Sequence, residues 1–214
     1  MGLDTLLIQP YYDATALVFP LQHDWFLENI MHLGLKYLMV AISLIVLGFW
    51  LLGLKVWAHN SFVNKRVWIH KYHRPFIWMF VGMLVSTTVI SVLKHLSEHA
   101  CPWDLLMYGG TQPFLPLFSE LPSGASAGHC FPGGHASGGF ALMAAYFAFR
   151  DTEPKWAKLG LLAGMLFGSV MGWAQMMRGA HFMSHNLWTA WIIWMILLTQ
   201  YSLWSPNAAK TKAQ

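Results

Sequence analysis

The sequence predicts an all-α, polytopic membrane helical bundle of about five transmembrane helices, preceded by an N-terminal interfacial segment. Three observations predict it. Only 10% of the 214 residues are charged and 56% are hydrophobic, whereas a soluble domain carries about 25% charged residues to keep its surface wet. Five charge-free apolar stretches follow one another, each near the roughly 17–25 residues that cross a bilayer. The basic residues collect in alternate loops, the asymmetry that fixes membrane orientation.

The stretches are Tyr37–Leu54, Pro75–Leu93, Phe131–Phe149, Leu159–Met177 and Leu187–Trp204. Pro75 opens the second, where a first helical turn tolerates it. The third has the least apolar start, at Pro132, Gly133, Gly134 and His135. The fourth carries Gly160, Gly164, Gly168 and Gly172 on one stripe, a small-residue ladder that reads as close helix packing. Residues 1–33 are interrupted by Asp13, Pro20, Asp24 and Glu28. We expect them to lie along the outer interface with Trp25 and Phe26 toward lipid. The expected organisation is therefore an interfacial segment over 1–33, a transmembrane domain over 34–204 and a cytoplasmic tail over 205–214. No charged start with a short apolar core and cleavage site suggests a removable signal peptide.

Lys55, Lys65, Arg66, Lys71 and Arg74 separate the first two stretches, Arg150, Lys155 and Lys158 follow the third, and Lys210 and Lys212 lie in the tail. Basic loops stay cytoplasmic, so the N-terminus is expected outside and the C-terminus inside, in a bacterial inner (cell) membrane. The net charge of +4 is accounted for by these loops and calls for no nucleic-acid partner.

Three clusters fall on the expected outer side. Lys94 through Pro102 closes the second helix, Pro132-Gly133-Gly134-His135 opens the third, and Gln175 through His185 joins the fourth to the fifth. Glycines at a helix start present backbone N–H groups at the positive end of the helix dipole, which seats an anion. A histidine there exchanges a proton near neutral pH. Lys94, Arg178, backbone donors and the pair His135 and His181 around one anion suit phosphoryl transfer through a phosphohistidine.

These clusters resemble the signature of the type-2 phosphatidic acid phosphatase superfamily, which includes membrane lipid phosphatases and vanadium haloperoxidases. That signature runs Lys-x6-Arg-Pro, Pro-Ser-Gly-His and Ser-Arg-x5-His-x3-Asp. Here Lys94 is followed after six residues by Cys101-Pro102, the second motif reads Pro132-Gly133-Gly134-His135, and His181 precedes His185 by four. The resemblance, over about residues 37–204, implies that His181 attacks phosphorus, His135 protonates the leaving alcohol and His185 orients His181. It implies that Lys94, Arg178, Gly133 and Gly134 bind phosphate oxygens, with no metal and no cofactor. The implied partner is a lipid phosphate or diphosphate: phosphatidic acid, phosphatidylglycerol phosphate, a polyprenyl diphosphate or lipid A.

The chain departs from the signature at Cys101, Gly133, Gln175 and His185, which stand where the pattern has Arg, Ser, Arg and Asp. Arg178, about one helical turn after Gln175, is placed to serve the same anion, and Trp103, His129 and Gln175 are candidates to replace lost contacts. Three rival readings follow. One is a lipid phosphotransferase using the same intermediate. Another is a relative that binds lipid phosphates without cleaving them. The third is a membrane protein with His-ligated haem or a quinone, which leaves Lys94 and the Gly-Gly-His turn unexplained. Cys101 and Cys130 share the long outer segment, where an oxidising compartment permits a disulfide. We expect them to pair, against the alternative of two interfacial thiols.

Overall fold

The structure, a computed structural model, describes residues 2–58, 63–116, 119 and 122–206, without side chains for 55–70. The side chains of Lys55, Lys65 and Arg66 of the expected basic loop, and residues 207–214 of the tail with Lys210 and Lys212, therefore lie outside what the structure describes. After a short α1 (Gly2–Ile8), a π-helical segment (Phe26–Gly34) runs directly into α2 (Leu35–Ala58). Then come α3 (Val63–Leu96), α4 (Gly134–Phe140), a 3-10 turn (Ala141–Met143), α5 (Ala144–Phe149), α6 (Pro154–Met177) and α7 (Met183–Leu203). No β-strand longer than an isolated bridge occurs among the described residues.

Three of these helical segments have the length and mean hydropathy to cross a membrane: Phe26–Leu54, Lys71–Leu96 and Pro154–Met177. Large apolar side chains such as Leu44, Ile45, Leu162 and Leu166 point outward and are exposed, as a surface that packs against lipid requires. This is a membrane protein. The helix Met183–Leu203 has the length, but Asn186, Gln200 and its tryptophans keep it less apolar. The expected third stretch is shorter than predicted. Pro132 and Gly133 remain outside the helix, which starts at Gly134 and passes through a 3-10 turn before α5. The first long helix, by contrast, starts well before Tyr37.

The bundle core lies among α3, α4, α5 and α7, around Trp78, Ile90, Phe140, Phe147, Ile193 and Leu197. The glycine ladder of α6 is what lets α4, the 3-10 turn, α5 and α7 approach. A Cβ at Gly164 would lie 2.7 Å from the backbone nitrogen of Met143, and one at Gly172 would lie 2.6 Å from Cγ of Asn186. Backbone cannot yield as a flexible side chain does. Gly164→Val is therefore expected to cost about 1–3 kcal/mol or more by overpacking. The readout is a lowered melting temperature in detergent, compared with Gly48→Val, where the structure leaves open space.

The connectivity puts the chemistry at one end. The C-terminus of α3, the start of α4 and the α6–α7 turn all meet there. At the other end, Lys71 pairs with Glu153 at 2.7 Å and Tyr201 donates to Asp151. A second, smaller core caps the motif end, built from Ile8, Phe19, Leu105, Tyr108, Met176 and Phe182. Gly179 makes that cap possible. Its φ is +76°, a left-handed conformation, and a Cβ there would lie 2.5 Å from the Phe19 ring.

Candidate active site

A cavity of about 670 Å³ opens at the motif end. Its polar part is walled by Lys94, Gly134, His135, Gln175, Arg178 and His181, and its apolar part by Met39, Val40, Leu44, Phe80, Met83 and Leu84. The two histidines named from the sequence therefore share one cavity.

His181 sits in the short turn between α6 and α7 and is 3% exposed. Its Nδ1 lies 3.4 Å from Nδ1 of His185, one turn into α7, and 3.4 Å from Sγ of Cys130. Burial, reinforced by His185 and Lys94, pushes the His181 imidazole well below the ordinary histidine range, so it is held neutral. His185 does not line the cavity. It stands behind His181, with Phe131 and Phe182 edge-on to its ring. The carboxylate of Asp4 accepts from the backbone N–H of Ser184 at 2.8 Å, fixing the first turn of α7 from the N-terminal segment.

His135 lies in the first turn of α4. Its Nε2 donates to the carbonyl of Met31 at 2.9 Å, and its ring meets that of His32 edge-on at 4.5 Å. In the neutral ring this puts the proton on Nε2 and leaves Nδ1 as the acceptor. Lys94 arches over the same turn. A Cβ on Gly134 would lie 3.6 Å from Lys94 Nζ. The ammonium therefore sits beside the helix start where backbone donors and dipole favour an anion.

The seat expected at both glycines narrows to Gly134. Gly133 is turned away from the cavity, and its N–H donates to the carbonyl of His185 at 3.2 Å, tying α4 to α7. His129 also fails as a supporting group. It is exposed, has a φ of +49° and stacks on His95 at 5.4 Å, away from the cavity. Trp103 lines the wall, with Nε1 donating to Asp104 at 3.0 Å. Gln175 is 4% exposed, and its Nε2 has no hydrogen-bond partner among the described residues. Arg178 is 6% exposed and is held by the N-terminal segment: Nε donates to the carbonyl of Gln22 at 2.9 Å, and Nη1 approaches His32 Nδ1 at 3.3 Å.

Cys101 and Cys130 form a disulfide, with Cα atoms 5.1 Å apart. Cys101 lines the cavity. His181, His185 and Cys130 bring three ligating atoms within 4.8 Å of one another, but a disulfide sulfur offers no thiolate to a metal ion. The bond closes a long loop, which the chain-entropy model values at about 3–4 kcal/mol. Reduction is expected to lower both the melting temperature and turnover, because the sulfur packs on His181. Assaying the protein with and without a phosphine reductant checks this.

The sequence reading missed Glu28, His32 and Lys36, which also line the cavity. A signal was present. The three recur at every fourth residue, as one face of a helix requires.

The cavity of this membrane helix bundle thus gathers three histidines, three cations and a helix start. The model of the PAP2 superfamily matches residues 75–208. The chain belongs to this superfamily, the type-2 phosphatidic acid phosphatases, and membership points to phosphatase-type chemistry on phosphate esters. No match is found among curated proteins or among solved structures.

Proposed function

We propose that the protein hydrolyses a lipid phosphate or diphosphate through a phosphohistidine on His181. One observation carries the reading: a single cavity joins a cationic, histidine-lined end to an apolar wall built from α2 and α3. A phosphate with a hydrocarbon tail fits both parts. With Nδ1 of His181 engaged by His185 and the disulfide sulfur, Nε2 is the nitrogen left to attack phosphorus. Lys94, Arg178, Gln175 and the Gly134 backbone bind the equatorial oxygens and stabilise the charge that develops there. With Nε2 held by the Met31 carbonyl, His135 acts through Nδ1: the doubly protonated ring gives its Nδ1 proton to the leaving alcohol, and the neutral ring then takes a proton at Nδ1 from the water that attacks the phosphohistidine.

His185 takes the place of a carboxylate. A neutral imidazole accepts the Nδ1 proton of His181, but it cannot neutralise the imidazolium character of the intermediate as a carboxylate does. In this reading the α4–α5 segment and α7 complete five spans. The basic loops then put the cavity on the periplasmic face of a bacterial inner membrane, with the N-terminus outside.

Purified protein in detergent is expected to release phosphate from at least one of phosphatidic acid, phosphatidylglycerol phosphate, a polyprenyl diphosphate or lipid A. Alanine variants at His181 and His135 should be inactive on it. Release that persists in both variants would refute the assignment.

A further inference from the structure

The match to the superfamily begins at residue 75, yet one wall of the cavity comes from well upstream of it. Glu28, His32 and Lys36 line the polar end, and Met39, Val40 and Ser43 continue the same wall toward the apolar end. The first three straddle the junction between the π-helical segment Phe26–Gly34 and α2 (Leu35–Ala58). Spaced by four, they stay on one face. That spacing also explains how so polar a stretch belongs to a long membrane helix: the charges face the cavity and Trp25, Phe26 and Ile30 face outward.

The face is wired to Arg178. Nη1 of the guanidinium lies 3.3 Å from Nδ1 of His32, and Nη2 lies 3.8 Å from Oε1 of Glu28. An arginine only donates, so Nδ1 of His32 is the acceptor and the neutral ring carries its proton on Nε2. Backbone and side chains from one segment thus fix a buried cation whose own helix supplies no counter-charge. Gln175 is a second, independent pointer to a ligand. Its Nε2 is a buried donor without a partner among the described residues, on the wall of the same cavity. Lys36, Lys94 and Arg178 against Glu28 leave two positive charges facing this space, which matches a dianionic phosphate group better than a singly charged diester.

We infer that the first long helix completes the phosphate seat: Lys36 is a third cation on the phosphate oxygens, and Glu28 and His32 are positioning residues that hold the Arg178 guanidinium toward them. The inference rests on the phosphatase reading above and adds a binding residue that the motif segments lack.

The test uses the full-length protein in detergent with short-chain phosphatidic acid as substrate and inorganic phosphate as competitor. For Lys36→Gln, KM and the inhibition constant of phosphate are expected to rise about tenfold, as loss of a charge-assisted contact implies, with most of the loss in KM rather than kcat. Lys36→Arg keeps the charge and should restore both to within about threefold. His32→Ala should raise the same constants about tenfold. His32→Gln, which keeps an acceptor for Arg178, should recover most of that loss with an unchanged pH profile, a pattern that lost packing alone would not produce. An active Lys36→Gln protein with an unaltered phosphate inhibition constant overturns the inference while leaving the phosphatase reading intact. A folded wild type that neither hydrolyses the lipid nor binds phosphate by calorimetry overturns that reading itself.

Discussion

His181→Ala is expected to lower turnover of the lipid substrate by about a thousandfold or more, the scale on which loss of a covalent nucleophile registers. No neighbour replaces it. His185 lies outside the cavity wall, and His135 has its Nε2 committed to the Met31 carbonyl. The same site makes a prediction about pH. Burial holds the His181 imidazole far below its ordinary range, so the ring stays neutral and nucleophilic across the physiological range. The acid limb of single-turnover phosphorylation should therefore have its midpoint below pH 6.5. Its sign for stability is the same as that of a carboxylate in an ion pair, since both have a folded-state pKa below the unfolded one. The unfolded chain takes up the proton at a higher pH than the folded one, so this group costs stability as pH falls below its ordinary value. A limb centred at or above pH 7, together with a solvent-accessible His181, would contradict the buried geometry.

His135→Ala is expected to show a loss that depends on the leaving group. Protonation by a positioned acid contributes about 10²–10⁴-fold when the departing oxygen is a poor leaving group, as the alcohol of a lipid is. A p-nitrophenolate needs almost no such help. The variant should therefore lose about 10²–10⁴-fold on phosphatidic acid but only about tenfold or less on p-nitrophenyl phosphate. Because Nε2 of His135 donates to Met31 O and the ring packs against His32, His135→Gln separates the roles: it can restore the contact with Met31 but cannot transfer a proton. Equal losses on both esters would mean that His135 binds phosphate and does not act as the acid.

Much of this site was legible in the sequence because its residues sit at helix ends that the hydropathy pattern locates. Lys94 at the end of α3, Gly134 and His135 at the start of α4, and Arg178 and His181 in the α6–α7 turn all follow from where apolar stretches stop. The glycine ladder of α6 was legible for the same reason, since a spacing of four leaves little choice of face. What was not legible depended on which way a polar residue points. Glu28, His32 and Lys36 look like interruptions when a membrane segment is judged by the charges it contains. They are compatible with one because all three border the cavity, which a hydropathy average cannot register. Gly133 was misjudged through an ordinary piece of accounting: its N–H had a backbone acceptor in α7 that no local pattern reveals. His129 was singled out for its neighbourhood in sequence, and the turn at its positive φ carries it off the wall.

In the proposed reaction His181 forms a bond to phosphorus. Mixing the protein with phosphatidic acid labelled in its phosphate, quenching in alkali, where phosphohistidine survives, and mapping the labelled peptide reads that bond out. The label is expected on the peptide containing His181, in wild type and not in His181→Ala. Label on another residue, or full turnover by a His181→Ala protein, would exclude His181 as the nucleophile.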